Sequence, residues 1–96
     1  MNTPTEIAEL LRLAADVIEE QQLAVLSVMA HGETPLVNVS KRMFSHVFAG
    51  IEITLVPNGG SYYDAFGEKF GLRFNCYSYQ AIERKEIEPL TVTCRG

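Results

Sequence analysis

Apolar residues recur along this chain with two different periods, and the change from one to the other marks its elements. Ile7, Leu10, Leu11, Ala14, Val17 and Ile18 follow helical spacing. At about 100° per residue they fall within an arc of about 120°. Ahead of them, Thr3-Pro4-Thr5-Glu6 is a helix start: Thr3 caps, Pro4 suits the first helical position, and Glu6 completes a capping box. The pattern predicts a helix ending near Gln21. Leu23 to Ala30 is then a nearly continuous apolar run of strand length, which reads as a central strand.

After the loop His31-Gly32-Glu33-Thr34-Pro35, the residues Leu36 to Val39 predict a brief strand, and Ser40 caps a second, short helix. Met43, Phe44, Val47 and Phe48 share one face of that helix, Lys41, Arg42 and Ser45 the other, and Gly50 stops it. Ile51, Ile53 and Leu55 then alternate with Glu52, Thr54 and Val56, the period of a half-buried strand that ends at Pro57-Asn58-Gly59-Gly60. Tyr62 to Phe66 and Leu72 to Tyr79 read as two strands joined by the turn Gly67 to Gly71. Leu72, Phe74 and Cys76 are expected to face the core, and Arg73, Asn75, Tyr77 and Tyr79 to face out. Beyond Gln80 the chain turns charged (Glu83, Arg84, Lys85, Glu86, Glu88), and Thr91-Val92-Thr93 is either an edge strand or a loose tail.

Strands joined by tight turns favour an antiparallel sheet. The expectation is therefore one α+β domain over 1–96, with a sheet of four to five antiparallel strands and both helices on one face. Ninety-six residues, 47% hydrophobic and 21% charged, allow one core. A domain of this size buries only about 60 to 65% of its unfolded surface, which favours work at the exterior over an enclosed active site. No segment reaches the roughly 20 apolar residues of a membrane span, and the N-terminus lacks the pattern of a secretory signal. An intracellular protein with Cys76 and Cys94 as free thiols is expected.

The net charge of −4 is unevenly spread. Glu6, Glu9, Asp16, Glu19 and Glu20 stand against Arg12 alone in the first helix, while the seven acids and seven bases of the remaining chain cancel. Binding to a phosphate backbone needs a basic patch, so direct nucleic-acid binding is not expected. Complementary charge speeds association between proteins, and this acidic face is a candidate surface for a basic partner. Tyrosine and arginine are enriched at binding hot spots, which adds Arg73, Tyr77 and Tyr79 as candidates.

The reactive side chains form no site in the sequence. Cys76, Cys94, His31 and His46 lie fifteen or more residues apart, unlike the close ligand pairs of structural zinc sites. Cys76 occupies an inward strand position, which disfavours a Cys76–His46 nucleophile pair. Nothing fixes the separation of Asp64 and Glu68 as a hydrolytic pair. Neither glycine-rich turn opens a helix, as a phosphate loop would. No metal, cofactor or catalytic residue is therefore expected.

The capped acidic helix, the segment LVNVSKRMFSHVFAG and the meander ending in GLRFNCYSY give the chain a look that resembles the short acidic accessory proteins encoded by bacteriophages and prophages. The resemblance covers most of the chain and matches no motif position by position. It implies a non-enzymatic protein-binding module in the cytoplasm of a bacterial host, of the anti-CRISPR or anti-defence type, which covers a host nuclease complex. The alternatives are a homodimer in which the terminal strand or the hairpin edge pairs with its twin, and a small metal- or thiol-dependent enzyme.

Overall fold

The fold was analysed in a computed structural model, which describes residues 2–30, 32–82 and 88–95. His31 and the charged Glu83, Arg84, Lys85 and Glu86 lie outside the described residues. The elements run α1 (Pro4–Gln21), β1 (Ser27–Met29), β2 (Leu36–Asn38), α2 (Lys41–Phe48), β3 (Glu52–Pro57), β4 (Tyr62–Lys69), β5 (Leu72–Ala81) and β6 (Leu90–Thr93). The strands form one sheet in the order β1-β2-β5-β4-β3-β6. Neighbours are antiparallel except β2 and β5, which are parallel.

The class is α+β, but the sheet is mixed and has six strands, where an antiparallel sheet of four to five was expected. The parallel pair follows from chain routing. A parallel neighbour needs a long crossover, and here α2, β3 and β4 together supply it. The Thr91-Val92-Thr93 segment belongs to β6, an edge strand paired with β3 from Glu52↔Thr93 to Leu55↔Leu90.

The Leu23 to Ala30 run is not a central strand. Gln22 takes a left-handed conformation (φ 51°, ψ 51°) that ends α1, and only Ser27–Met29 pairs, at the sheet edge. Leu23, Val25 and Val28 pack on the core while Leu26 and Met29 stay exposed. The run is thus shared between packing under α1 and a short edge strand, and β5 and β4 occupy the centre.

Val28, Val37, Phe74 and Gly67 are successive partners across β1, β2, β5 and β4, and share the face on which α2 lies. There Phe44 and Phe48 stack at 4.6 Å, Phe74 meets Phe48 edge-on at 5.4 Å, and Tyr79 meets Phe44 edge-on at 5.4 Å. Ala14 of α1, with Val17 and Ile18 against it, joins the same cluster. Ser40 Oγ accepts the Met43 N–H at 3.2 Å and starts α2, and Lys69 Nζ donates to the Val47 carbonyl at 2.8 Å near its end. A cation suits the negative end of a helix dipole.

A bulge in β5 decides which aromatics reach solvent. Tyr63 pairs with Gln80 and Ala65 with Cys76, so Asp64 alone faces Tyr77, Ser78 and Tyr79. Ser78 has φ 53°, and its N–H donates to Asp64 Oδ1 at 3.0 Å, an oxygen that also accepts from Asn58 Nδ2 at 3.2 Å. The left-handed conformation of Ser78 breaks the alternation between Cys76 and Tyr79. Tyr79 therefore points inward and is buried, contrary to its expected outward position, whereas Tyr77 is exposed. Asn75 keeps the outward register but is also buried, flanked in register by Asn38 and Phe66. Asp64→Ala removes the acceptor that holds the bulge and is expected to cost about 1–2 kcal/mol; urea unfolding of this variant beside Asp64→Asn, which keeps an oxygen there, checks it.

The β4–β5 turn consists of Phe70 and Gly71, with φ 57° and 76°. Positive φ at both central residues is what a two-residue type I′ hairpin needs, and asparagine or glycine suits the first position best. Phe70 sits there at a steric cost of about 1–2 kcal/mol, offset in part by Lys69 Nζ at 5.0 Å from its ring centroid. Phe70→Asn is expected to raise stability by about 1 kcal/mol, read as a higher thermal midpoint.

Candidate interaction surface

α1 is an 18-residue helix of which only Ala14 is buried. Its start is doubly tied. Thr3 Oγ1 accepts the Glu6 N–H at 3.2 Å while Glu6 Oε1 accepts the Thr3 N–H at 3.0 Å, and Asn2 Nδ2 donates to the Gly32 carbonyl at 2.7 Å. The Thr3 backbone bond, then its side-chain bond, holds the Glu6 carboxyl below the usual glutamate range. A lowered pKa in the folded state gives stability that is present above the ordinary glutamate pKa and is lost as pH falls through the lowered value. The first turn of α1 is accordingly expected to lose amide-exchange protection on acidification, and Glu6→Gln to remove that pH dependence. Glu6 thus serves the cap as well as the acidic face.

Glu9, Asp16, Glu19 and Glu20 are all exposed. Glu9, Asp16 and Glu20 fall within about 40° of one another around the helix axis and span about 16 Å along it. Among the described residues the recorded ion pair is Arg73 Nε to Glu68 Oε1 at 3.9 Å, between two exposed side chains on the sheet. The carboxylates of α1 have no such partner among the described residues, so no ion pair there offsets their field.

The second group of candidates does not join the first. Arg73 and Tyr77 are exposed on β5, two strands in from β1, on the face turned away from α2. Tyr79 is buried, with its hydroxyl 3.4 Å from Ser45 Oγ and 3.4 Å from Cys94 Sγ. Burial, then the Cys94 bond, pushes that phenol up from its ordinary value. Lys41 Nζ lies 5.4 Å from its ring centroid. Tyr79 is a core residue and leaves the set of surface candidates.

Two grooves accompany these surfaces. One, of about 610 Å³, runs between α1 and the β1–β2 turn and is lined by Asn2, Glu6, Glu9, Leu10, Leu13 and Glu33. The other, of about 530 Å³, lies over β3, β4 and β5 and includes Thr54, Val56, Phe66, Glu68 and Arg73. The place of Glu33 beside the acidic helix was not readable in the chain, because the Asn2 to Gly32 bond that joins them spans thirty positions.

Both thiols are buried and unpaired. Burial raises the Cys76 pKa above its ordinary value, which favours the thiol over the nucleophilic thiolate. No group of three or more candidate metal ligands occurs among the described residues, and no helix there is long and apolar enough to cross a membrane. Comparison with protein-family models, curated proteins and solved structures finds no match to this chain.

Proposed function

We propose that this chain is a non-enzymatic protein-binding module whose partner presents a basic surface to the acidic flank of α1. One observation carries the reading: Glu9, Asp16, Glu19 and Glu20 are exposed on a single helix and engaged by no cation of their own chain among the described residues. Opposed charge of this kind steers encounter and excludes wrong partners. The raised Cys76 pKa disfavours that thiol as a nucleophile.

A complex that processes nucleic acid offers a basic surface of the right sign, so inhibition of such a host complex by occlusion is the form of binding proposed. The test is capture from a bacterial lysate with the wild-type chain beside a variant carrying Glu9→Lys, Asp16→Lys and Glu20→Lys. Proteins recovered by the first bait and lost with the second are the expected outcome. Equal recovery by both baits removes the acidic flank from the account.

A further inference from the structure

β6 is the last strand of the sheet, and its own residues do nothing to guard its outer edge. It pairs with β3 in one unbroken register, from Glu52↔Thr93 to Leu55↔Leu90, and with no other strand among the described residues. Edge strands are ordinarily protected by an internal charge, a proline or a bulge. Leu90-Thr91-Val92-Thr93 has none of these, and threonine and valine are strong strand formers. Pro89 stands just ahead of the strand and limits any ladder on that side.

The hydrogen bonds to the opposite side of β6 show which residues turn outward. The Cys94 N–H donates to the Ile51 carbonyl at 2.8 Å, and the Gly50 N–H donates to the Cys94 carbonyl at 2.8 Å. Hydrogen-bonded residues alternate along an antiparallel pair, so Val92 also turns its N–H and C=O toward β3. Thr91 and Thr93 therefore turn theirs away from the sheet. Their side chains are exposed, whereas Leu90 and Val92 are half-buried against the core on the other face.

We propose that a second copy of this chain pairs with this edge, β6 against β6, in an antiparallel two-fold register about Val92. Thr91 of each copy then lies opposite Thr93 of the other, and each such pair exchanges both of its N–H···O bonds. Threonine pairs facing each other across strands are favourable, and Val92 meets its own counterpart on the core side. The charges at the strand ends choose the orientation. Glu88 and Arg95 bracket β6 and are in no ion pair among the described residues. Antiparallel pairing sets Pro89 opposite Arg95 of the other copy, which brings each Glu88 beside an Arg95; parallel pairing would set like beside like. A two-fold axis makes every one of these contacts twice. The strand is thus complementary to itself, and a second copy is the occupant it fits. β6 lies at the opposite edge of the sheet from β1, beside which α1 packs, so this pairing and binding at the acidic flank stand or fall separately.

Sedimentation equilibrium of the full chain at low salt tests it. The expected result is a mass that rises with concentration from 10.7 kDa toward twice that value. Thr91→Lys with Thr93→Lys puts like charges opposite each other across the axis and is expected to raise the dimer dissociation constant at least about tenfold. Thr91→Glu with Thr93→Lys restores opposite charges in the same register and is expected to associate at least as tightly as the wild type. Both variants alter side chains that face solvent in the single chain, so their far-UV spectra should match the wild type. If either does not fold, hydrogen exchange of the wild type decides the matter: the Thr91 and Thr93 amides must gain protection as concentration rises. A wild type that stays monomeric up to about 1 mM overturns the proposal. So does a dimer unaffected by Thr91→Lys with Thr93→Lys, a Thr91→Glu, Thr93→Lys variant that is weakened as much, or Thr91 and Thr93 amides whose exchange ignores concentration.

Discussion

Gly67→Ala is expected to lower the stability of the fold by about 2–3 kcal/mol, a fall of roughly 10–20 °C in Tm for a domain of this length. A Cβ at position 67 would lie 2.5 Å from Phe48 Cε1 and 2.8 Å from its Cζ. The Phe48 ring has nowhere to go. It is fully buried, stacked on Phe44 at 4.6 Å and edge-on to Phe74 at 5.4 Å. Nor is the backbone free to withdraw, since β4 is hydrogen-bonded between β3 and β5 with Gly67 opposite Phe74. Gly67 is therefore required for close approach of the α2 aromatic to the sheet. Thermal unfolding followed by circular dichroism reads the effect; an unchanged midpoint would mean that α2 does not sit on β4 at this distance.

Phe48→Ala is expected to be larger still, about 3–5 kcal/mol, against a total of roughly 5–14 kcal/mol for a chain of this length. The two changes are coupled. Once the ring is gone, the Cβ added at position 67 meets no obstacle there, and Gly67→Ala in the Phe48→Ala background is expected to cost close to nothing. The double-mutant cycle should then return a coupling of about 2–3 kcal/mol. Additive losses would show that the penalty at Gly67 arises in the strand itself.

These two residues also show what the amino-acid pattern carries and what it leaves out. The helix over α1, the cap at Ser40, the α2 aromatic face and the β3-β4-β5 meander were all legible, because each is set by neighbours a few positions apart. The parallel pairing of β2 with β5 was not, since Val37 and Phe74 meet only after α2 and two strands have intervened. The misreading of Leu23 to Ala30 has a related cause. An apolar run reports that its residues meet apolar surface, and says nothing of whether that surface lies under a helix, beside a strand or on another chain.

At the candidate surfaces the division is the same. The acidic flank of α1 follows from helical geometry and stood in the sequence. Tyr79 did not, because strict alternation placed it outward and the Ser78 bulge turned it in. Asp64 binds the Ser78 N–H from fourteen positions away, beyond the reach of a local pattern. Asn75 was buried by its neighbours across the strands, Asn38 and Phe66, which no count along β5 reveals.

The central claim is that the carboxylates of α1, engaged by no cation among the described residues, guide this chain to a basic protein surface. Its most direct test is the association rate with the captured partner as a function of salt. For the wild type the rate should fall at least about tenfold between low and high ionic strength, and the Glu9→Lys, Asp16→Lys, Glu20→Lys variant should be slow at every salt concentration. A wild-type rate that stays flat across salt, matched by that of the variant, would contradict it.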